Sequence, residues 1–222
     1  MPEAVSCYTC EGFATTREHA PPKCFFPEQR DVGRDLRKNL ISVPSCAEHN
    51  TARSMDDQYV MTFVVMQFET IGVARDQFST KIIRSLKRDL TLVDEVFREA
   101  REVQLNGEPT VTVTLDRARF DRVMASSFRA LIYHECNEKL SSDVTVFSLG
   151  IRHKTFERDA DEATLAFTVR TVLKGQPRLG ENPEVFWYQF FHRPHEISAM
   201  RLEFYQGFTV YAVADTRVQR AG

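Results

Sequence analysis

The chain of 222 residues carries 29 basic and 31 acidic side chains, for a formal net charge of -2, so it lacks the bulk positive charge of proteins that coat nucleic acid. Any polyanion must be met by a local cluster or a bound cation. Hydrophobic residues make up 42% and charged residues 27%, which supplies a packed core and excludes a disordered chain. No run approaches the ~20 apolar residues that span a bilayer, and the opening MPEAVSCYTC lacks the charged and apolar regions of a secretory signal, so a cytoplasmic protein is expected.

The five cysteines are odd in number, and Cys7, Cys10, Cys24 and Cys46 crowd the start of the chain, a usage that suits metal binding in a reducing compartment better than disulfides. Cys7-x-x-Cys10 can present two thiolates from one tight knuckle, and Cys46-x-x-His49 a thiolate and an imidazole from a second. Together they form a Cys3His set for tetrahedral zinc. His19 and Cys24 are neighbouring side chains that could take the place of His49.

Near residue 54 the chain changes from cysteine, proline and charge to long amphipathic stretches. Ser54-Met55-Asp56-Asp57 reads as a helix start, with two acids in the first turn to suit the helix dipole, and Tyr59 to Phe68 as the helix body. From Ala74 to about Val103, apolar residues at Phe78, Ile82, Ile83 and Leu86, then Leu92, Val93, Val96 and Phe97, keep helical spacing with a break near Thr91, which predicts two helices. TVTVTLD, residues 110 to 116, alternates like a strand after the turn signal Asn106-Gly107-Glu108-Pro109. Residues 117 to 140 return to helical periodicity through Phe120, Val123, Met124, Phe128, Leu131 and Ile132. EVFWYQFFHR (184 to 193) and AMRLEFYQGFTVYAVAD (199 to 215) are rich in aromatic and β-branched residues, and Gln206-Gly207 predicts a hairpin turn within the second.

Between the two cysteine knuckles stand Glu18-His19-Ala20-Pro21-Pro22-Lys23, then Asn39-Leu40-Ile41, then Val43-Pro44-Ser45-Cys46-Ala47-Glu48-His49-Asn50. In order and relative spacing these parts resemble the zinc-stapled HNH endonucleases, over about the first 60 residues. The resemblance implies a ββα-metal fold with a structural zinc and a separate catalytic magnesium or manganese ion. It makes His19 the general base, Asn39 the residue that orients its imidazole, and Glu18 and Asn50 the ligands of the catalytic ion. Three positions depart from the family pattern: Glu18 stands where Asp is commoner, His49 replaces the usual last zinc cysteine, and Asn50 replaces His.

The residue types agree with that chemistry. Phosphodiester hydrolysis needs a water to lose a proton, and an imidazole with a pKa near 6.5 accepts one at neutral pH. Carboxylate and amide oxygens are the hard ligands magnesium prefers. Adjacent strand residues point to opposite sides, so Glu18 and His19 converge on one phosphate only if the strand ends there, and Pro21-Pro22 supplies the end.

Other features call for plainer readings. Arg30, Arg34, Arg37 and Lys38 offer phosphate contacts, but Glu28, Asp31 and Asp35 are interspersed as in a solvated loop. His134 and Cys136 face different sides of a helix. His192-Arg193-Pro194-His195 lacks partner ligands for a metal, and Trp187, Tyr188, Phe190 and Phe191 fit a buried sheet better than a base-stacking surface.

The expectation is therefore an α+β protein: residues 1–70 a zinc-stapled ββα-metal module, residues 71–222 a mixed helical region with a small antiparallel sheet that selects substrate or mediates assembly as a homo-oligomer or with a protein partner. The function expected is hydrolysis of nucleic acid, DNA first, in bacterial defence or a mobile element. The alternative is a non-catalytic zinc module derived from the same scaffold and acting as an interaction platform.

Overall fold

The computed structural model describes residues 5–50, 54–67, 70–105, 107–152 and 156–217. The fold is α+β, with helices packed on antiparallel sheets and a cysteine and histidine cluster at the N-terminal end.

Two short strands, β1 (Thr16–His19) and β2 (Ser42–Ser45), pair antiparallel with Glu18 opposite Val43 and His19 opposite Ser42. The chain between them makes one turn of 3-10 helix and a short α1 (Gln29–Val32), which ends at Gly33 with φ 76, a left-handed value that glycine adopts without strain. The single turn α2 (Ala47–Asn50) follows β2 directly, and α3 (Ser54–Val65) begins at the predicted serine. Seven consecutive residues of α3, Tyr59 to Val65, are buried, so this helix passes through the core rather than along its surface. The predicted end of its apolar run at Phe68 lies outside the described residues.

The periodic stretch after residue 73 forms α4 (Val73–Gln77), a π-helical turn (Phe78–Ile82) and α5 (Ile83–Arg88) in one continuous path. The break comes at Asp89, just before the expected Thr91, because the Asp89 carboxylate accepts the Leu92 N–H at 3.2 Å and starts α6 (Leu90–Phe97). The helix expected to reach Val103 stops at Phe97. Arg101–Leu105 is instead strand β3, paired with β4 (Glu108–Thr112). Here the tight turn that Gly107 permits at φ 84 let hairpin pairing override a helical apolar pattern that was already running out. The strand predicted at 110 to 116 accordingly starts earlier and ends at Thr112.

Helix α7 (Arg117–Cys136) is capped by Asp116, whose carboxylate accepts the Arg119 N–H at 3.1 Å, and ends at Asn137 with φ 53. It packs on a five-stranded antiparallel sheet built from β5 (Val144–Phe147), β6 (Leu179–Asn182), β7 (Phe186–Arg193), β8 (Ile197–Phe204) and β9 (Phe208–Asp215), in the order β5-β9-β8-β7-β6. Gln206-Gly207 turns β8 into β9, as its sequence predicts. Alternate residues along β8 and β9, such as Met200, Leu202, Phe204, Phe208, Val210 and Ala212, enter the main core. Ala199 and Tyr211 face the other way and meet Ala166, Val169 and Leu173 at α8 (Phe156–Val172). The result is three layers with the sheet in the middle.

The main core does not divide at residue 70. The Phe25 ring of the N-terminal segment packs, tilted, 5.1 Å from that of Phe204 of β8, which lies 5.1 Å from Phe186 of β7. Tyr205 donates its hydroxyl to the Phe25 carbonyl at 2.6 Å. No helix among the described residues is long and apolar enough to cross a membrane.

Candidate metal centre and adjoining cleft

The first knuckle folds because the Cys7 N–H donates to the Gly12 carbonyl at 2.8 Å, closing a tight loop that holds Cys7 and Cys10. The Tyr8 N–H donates to Pro44 and the Thr15 N–H to Ser45, which lays this loop against β2 and brings Cys46 to it. The start of α2 then carries His49 one turn beyond Cys46. The ligand atoms of Cys7, Cys10, Cys46 and His49 all lie within 4.8 Å of one another, so these four residues could hold a metal ion. Neither His19 nor Cys24 belongs to this group.

The electrostatics of the cluster favour a cation. Burial raises the Cys7 thiol, yet backbone N–H groups of Thr9, Cys46 and Cys10 outweigh it and bring its pKa below the ordinary value. Cys10 goes the other way: the Gly12 N–H favours its thiolate, but desolvation and the neighbouring Cys7 and Cys46 sulfurs raise it. Three sulfurs this close cannot all ionise cheaply without a positive charge among them. Lys139, from beyond α7, donates its ammonium to the Cys10 carbonyl at 2.9 Å and ties the knuckle to the C-terminal half.

Beside the cluster lies a cleft of about 530 Å³, lined by Glu18 and His19 from the end of β1, Asn50 from α2, residues of α3, and Lys81, Ser85 and Arg88 from the path through α5. The hairpin ends at His19, and both Glu18 and His19 reach the cleft. His19 Nδ1 lies 3.4 Å from the Ile41 carbonyl. With a proton on Nδ1 shared with that oxygen, Nε2 keeps its lone pair. Burial first, then the charges of Lys23, Arg17 and Arg37, hold the His19 pKa below its ordinary value, with the Ile41 carbonyl opposing them.

Asn39, expected to orient that ring, sits in an exposed turn at φ 52, and the ring hydrogen-bonds the backbone of Ile41 instead. Asn50 donates its amide NH2 to Thr16 Oγ1 at 3.0 Å and to the Arg17 carbonyl at 3.2 Å, which clamps α2 to β1 and leaves the amide oxygen as an acceptor.

Glu18 is 9% exposed, and its Oε1 accepts the Ser126 hydroxyl at 2.9 Å, while Ser45 approaches Oε2 at 3.5 Å. Ser126 has one proton and gives it to the carboxylate, so Tyr8, 2.7 Å away, donates its hydroxyl to Ser126 in turn. This Tyr8-Ser126-Glu18 chain joins the knuckle, α7 and β1. Sequence reasoning missed it: Ser126 lies 108 residues from Glu18 and looks like an ordinary serine in a helix.

The remaining candidates are accounted for by the fold. Arg30 pairs with Glu28 at 2.7 Å, Arg34 with Glu184 at 2.7 Å, and Arg37 with Glu28 at 3.4 Å. His192 lies between Ser198 at 2.8 Å and Glu138 at 2.9 Å, but Ser198 is fully buried and open to no substrate. Trp187 is covered by Arg178 and Arg201, whose guanidinium carbons lie 4.5 and 4.9 Å from its ring centre. Cys24 lines the cleft, and burial pushes its thiol up to about 12, so it stays protonated.

Compared with protein-family models, curated proteins and solved structures, the chain matches none.

Proposed function

We propose that the protein is a metal-dependent endonuclease of the HNH type, with a structural zinc at Cys7, Cys10, Cys46 and His49 and DNA as its substrate. The observation that carries this reading is the meeting of Glu18, His19 and Asn50, from a β-hairpin and the helical turn after it, in one cleft beside the Cys3His cluster. That is the arrangement the sequence resemblance implies.

Zinc suits the cluster on distances. A zinc-sulfur bond of about 2.3 Å puts tetrahedral ligand atoms roughly 3.8 Å apart. Cys10 Sγ to Cys46 Sγ is 3.9 Å and Cys7 Sγ to His49 Nδ1 is 3.8 Å, with the Cys46 to His49 pair closer at 3.1 Å. The histidine would bind through Nδ1.

At the cleft, the Glu18 carboxylate and the Asn50 amide oxygen are the groups that would hold a magnesium or manganese ion. Ser126 fixes the carboxylate's direction as outer-shell partners do for metal ligands. Such an ion supplies charge stabilisation at the phosphate and the leaving oxygen. His19, neutral near pH 7 because its pKa is lowered, takes the proton of the attacking water on Nε2, while Ile41 holds the ring through Nδ1.

Two observations favour a second reading, the non-catalytic platform. Asn39 stands away from the role the family gives it, and Glu18 is tied into the core. A cleavage assay separates the two: plasmid DNA incubated with the zinc-loaded protein and magnesium or manganese is cut under the nuclease reading and left intact under the platform reading.

A further inference from the structure

Most arginines of the described fold are spent on partners inside it. Arg119 pairs with Asp56 at 2.8 Å and Glu95 at 2.6 Å, Arg84 with Asp31 at 3.0 Å, and Arg201 with Glu203 at 2.9 Å. The cations around the cleft behave differently. Lys23, Lys81 and Arg88 all line it, and among the described residues none of the three forms an ion pair. Of the acids that line the cleft with them, Glu18, Asp57 and Asp89, Glu18 is held by Ser126 and Asp89 caps α6.

Lys81 has an unusual setting. It lies in the π-helical turn, an irregularity that often marks functional sites. The Cys24 carbonyl accepts both the Gln77 amide at 3.1 Å and the Lys81 ammonium at 2.7 Å, so one oxygen fixes two successive turns of this path against the N-terminal segment. An ammonium carries three donors, and this contact uses one. Lys81 is partly buried, and desolvation lowers its pKa against the opposing charges of Glu28 and Asp31, so the fold bears a cost for withdrawing a cation from water, with one carbonyl as its hydrogen-bond partner. An anion in the cleft would complete the compensation.

We propose that Lys23, Lys81 and Arg88 form a phosphate-gripping rim, supplied largely by the helical path outside the hairpin module, that holds the backbone of a polynucleotide strand on either side of the phosphate beside His19. The identity of the anion rests on the nuclease reading; the existence of the rim does not. It gives residues 78–88 a role in substrate retention without bulk positive charge on the chain, whose cations elsewhere are largely neutralised within the fold.

The test is binding of a fluorescent DNA oligonucleotide to the full-length, zinc-loaded protein without magnesium or manganese, with inorganic tripolyphosphate as a parallel probe. Lys23→Gln, Lys81→Met and Arg88→Gln are expected each to weaken DNA binding by about 3- to 10-fold and to flatten the salt dependence by roughly one unit of log-log slope. Lys87→Gln, on the same helix but away from the cleft, should change neither. Lys81→Arg should recover binding, and the exposed Arg88 gives a variant whose folding is not at issue. If wild type cleaves DNA but the three variants bind with its affinity and slope, the rim is wrong and the nuclease reading stands. If nothing is cleaved but tripolyphosphate binds and weakens in these variants alone, the rim stands and the nuclease reading falls. If wild type binds neither probe at low salt, the rim is overturned.

Discussion

The two ends of the molecule are built by different means around one core. Residues 5–50 contain two four-residue strands and short helical turns, held by backbone bonds between loops, with a cluster of four side chains that could hold a metal ion. Residues 117–217 contain a long helix and a five-stranded sheet whose alternating apolar faces are buried on both sides. The first region has little regular structure and enters the shared core through single side chains such as Tyr8, Phe25 and Val43, to which a metal held by the cluster would add a cross-link. The second is built on continuous apolar faces over a hydrogen-bonded sheet, and the cleft forms where the loop-rich part meets α3 and the helical path that ends at Arg88.

Removing the metal should expose this contrast most strongly. Cys46→Ser, or treatment with a strong chelator, is expected to cost several kcal/mol and to free the amides of residues 5–50, because ligand binding and folding of such a segment are one event. The sheet amides should stay protected. Hydrogen exchange followed segment by segment checks this, and uniform loss of protection would erase the distinction between the regions. Acid should mimic the chelator, since protons compete with the metal for the three thiolates and His49.

Phe204→Ala attacks the join instead. Phe204 is fully buried between Phe25 and Phe186, and its loss should cost about 3–5 kcal/mol of global stability in a denaturant titration. Zinc content should survive at low denaturant.

Ser126→Ala is a smaller break across the same boundary. It leaves a buried carboxylate and the Tyr8 hydroxyl without their shared partner, at about 1–3 kcal/mol. If Glu18 binds the catalytic ion, the magnesium requirement for cleavage should rise as well. Unchanged stability and metal requirement would mean that the Tyr8-Ser126-Glu18 chain is incidental.

The pH profile offers the finest test. With its folded pKa lowered, His19 stays neutral below the point where an unfolded histidine takes its proton near 6.5. Its contribution therefore favours the fold above that value and is lost as pH falls toward the folded pKa. The acid limb of the cleavage rate should have its midpoint below 6.5, and a midpoint well above it would remove His19 as the base.

Much of this was legible in the sequence where the signal is local. The paired cysteine spacing located the cluster, and Gln206-Gly207 located a hairpin turn. The stretch from Arg117 onward showed its helix because apolar residues recur at helical intervals. What stayed hidden depends on partners distant in sequence. β5, β6 and α8 are short or weakly patterned and gain their form from the sheet they join. The orienting contact on His19 comes from a backbone carbonyl, which no residue type announces, so sequence pointed to Asn39. Lys81 drew no notice because a lysine in an amphipathic helix is ordinary until the cleft beside it is seen.

The nuclease reading requires a separation between the metal cluster and the adjoining cleft. It is tested most directly by measuring zinc per chain and plasmid cleavage in the same preparations of wild type, His19→Ala and Cys7→Ser. One zinc and cleavage are expected for wild type, one zinc and cleavage reduced by about 100-fold or more for His19→Ala, and loss of both for Cys7→Ser. Cleavage undiminished in His19→Ala, or zinc lost from it, would contradict that reading.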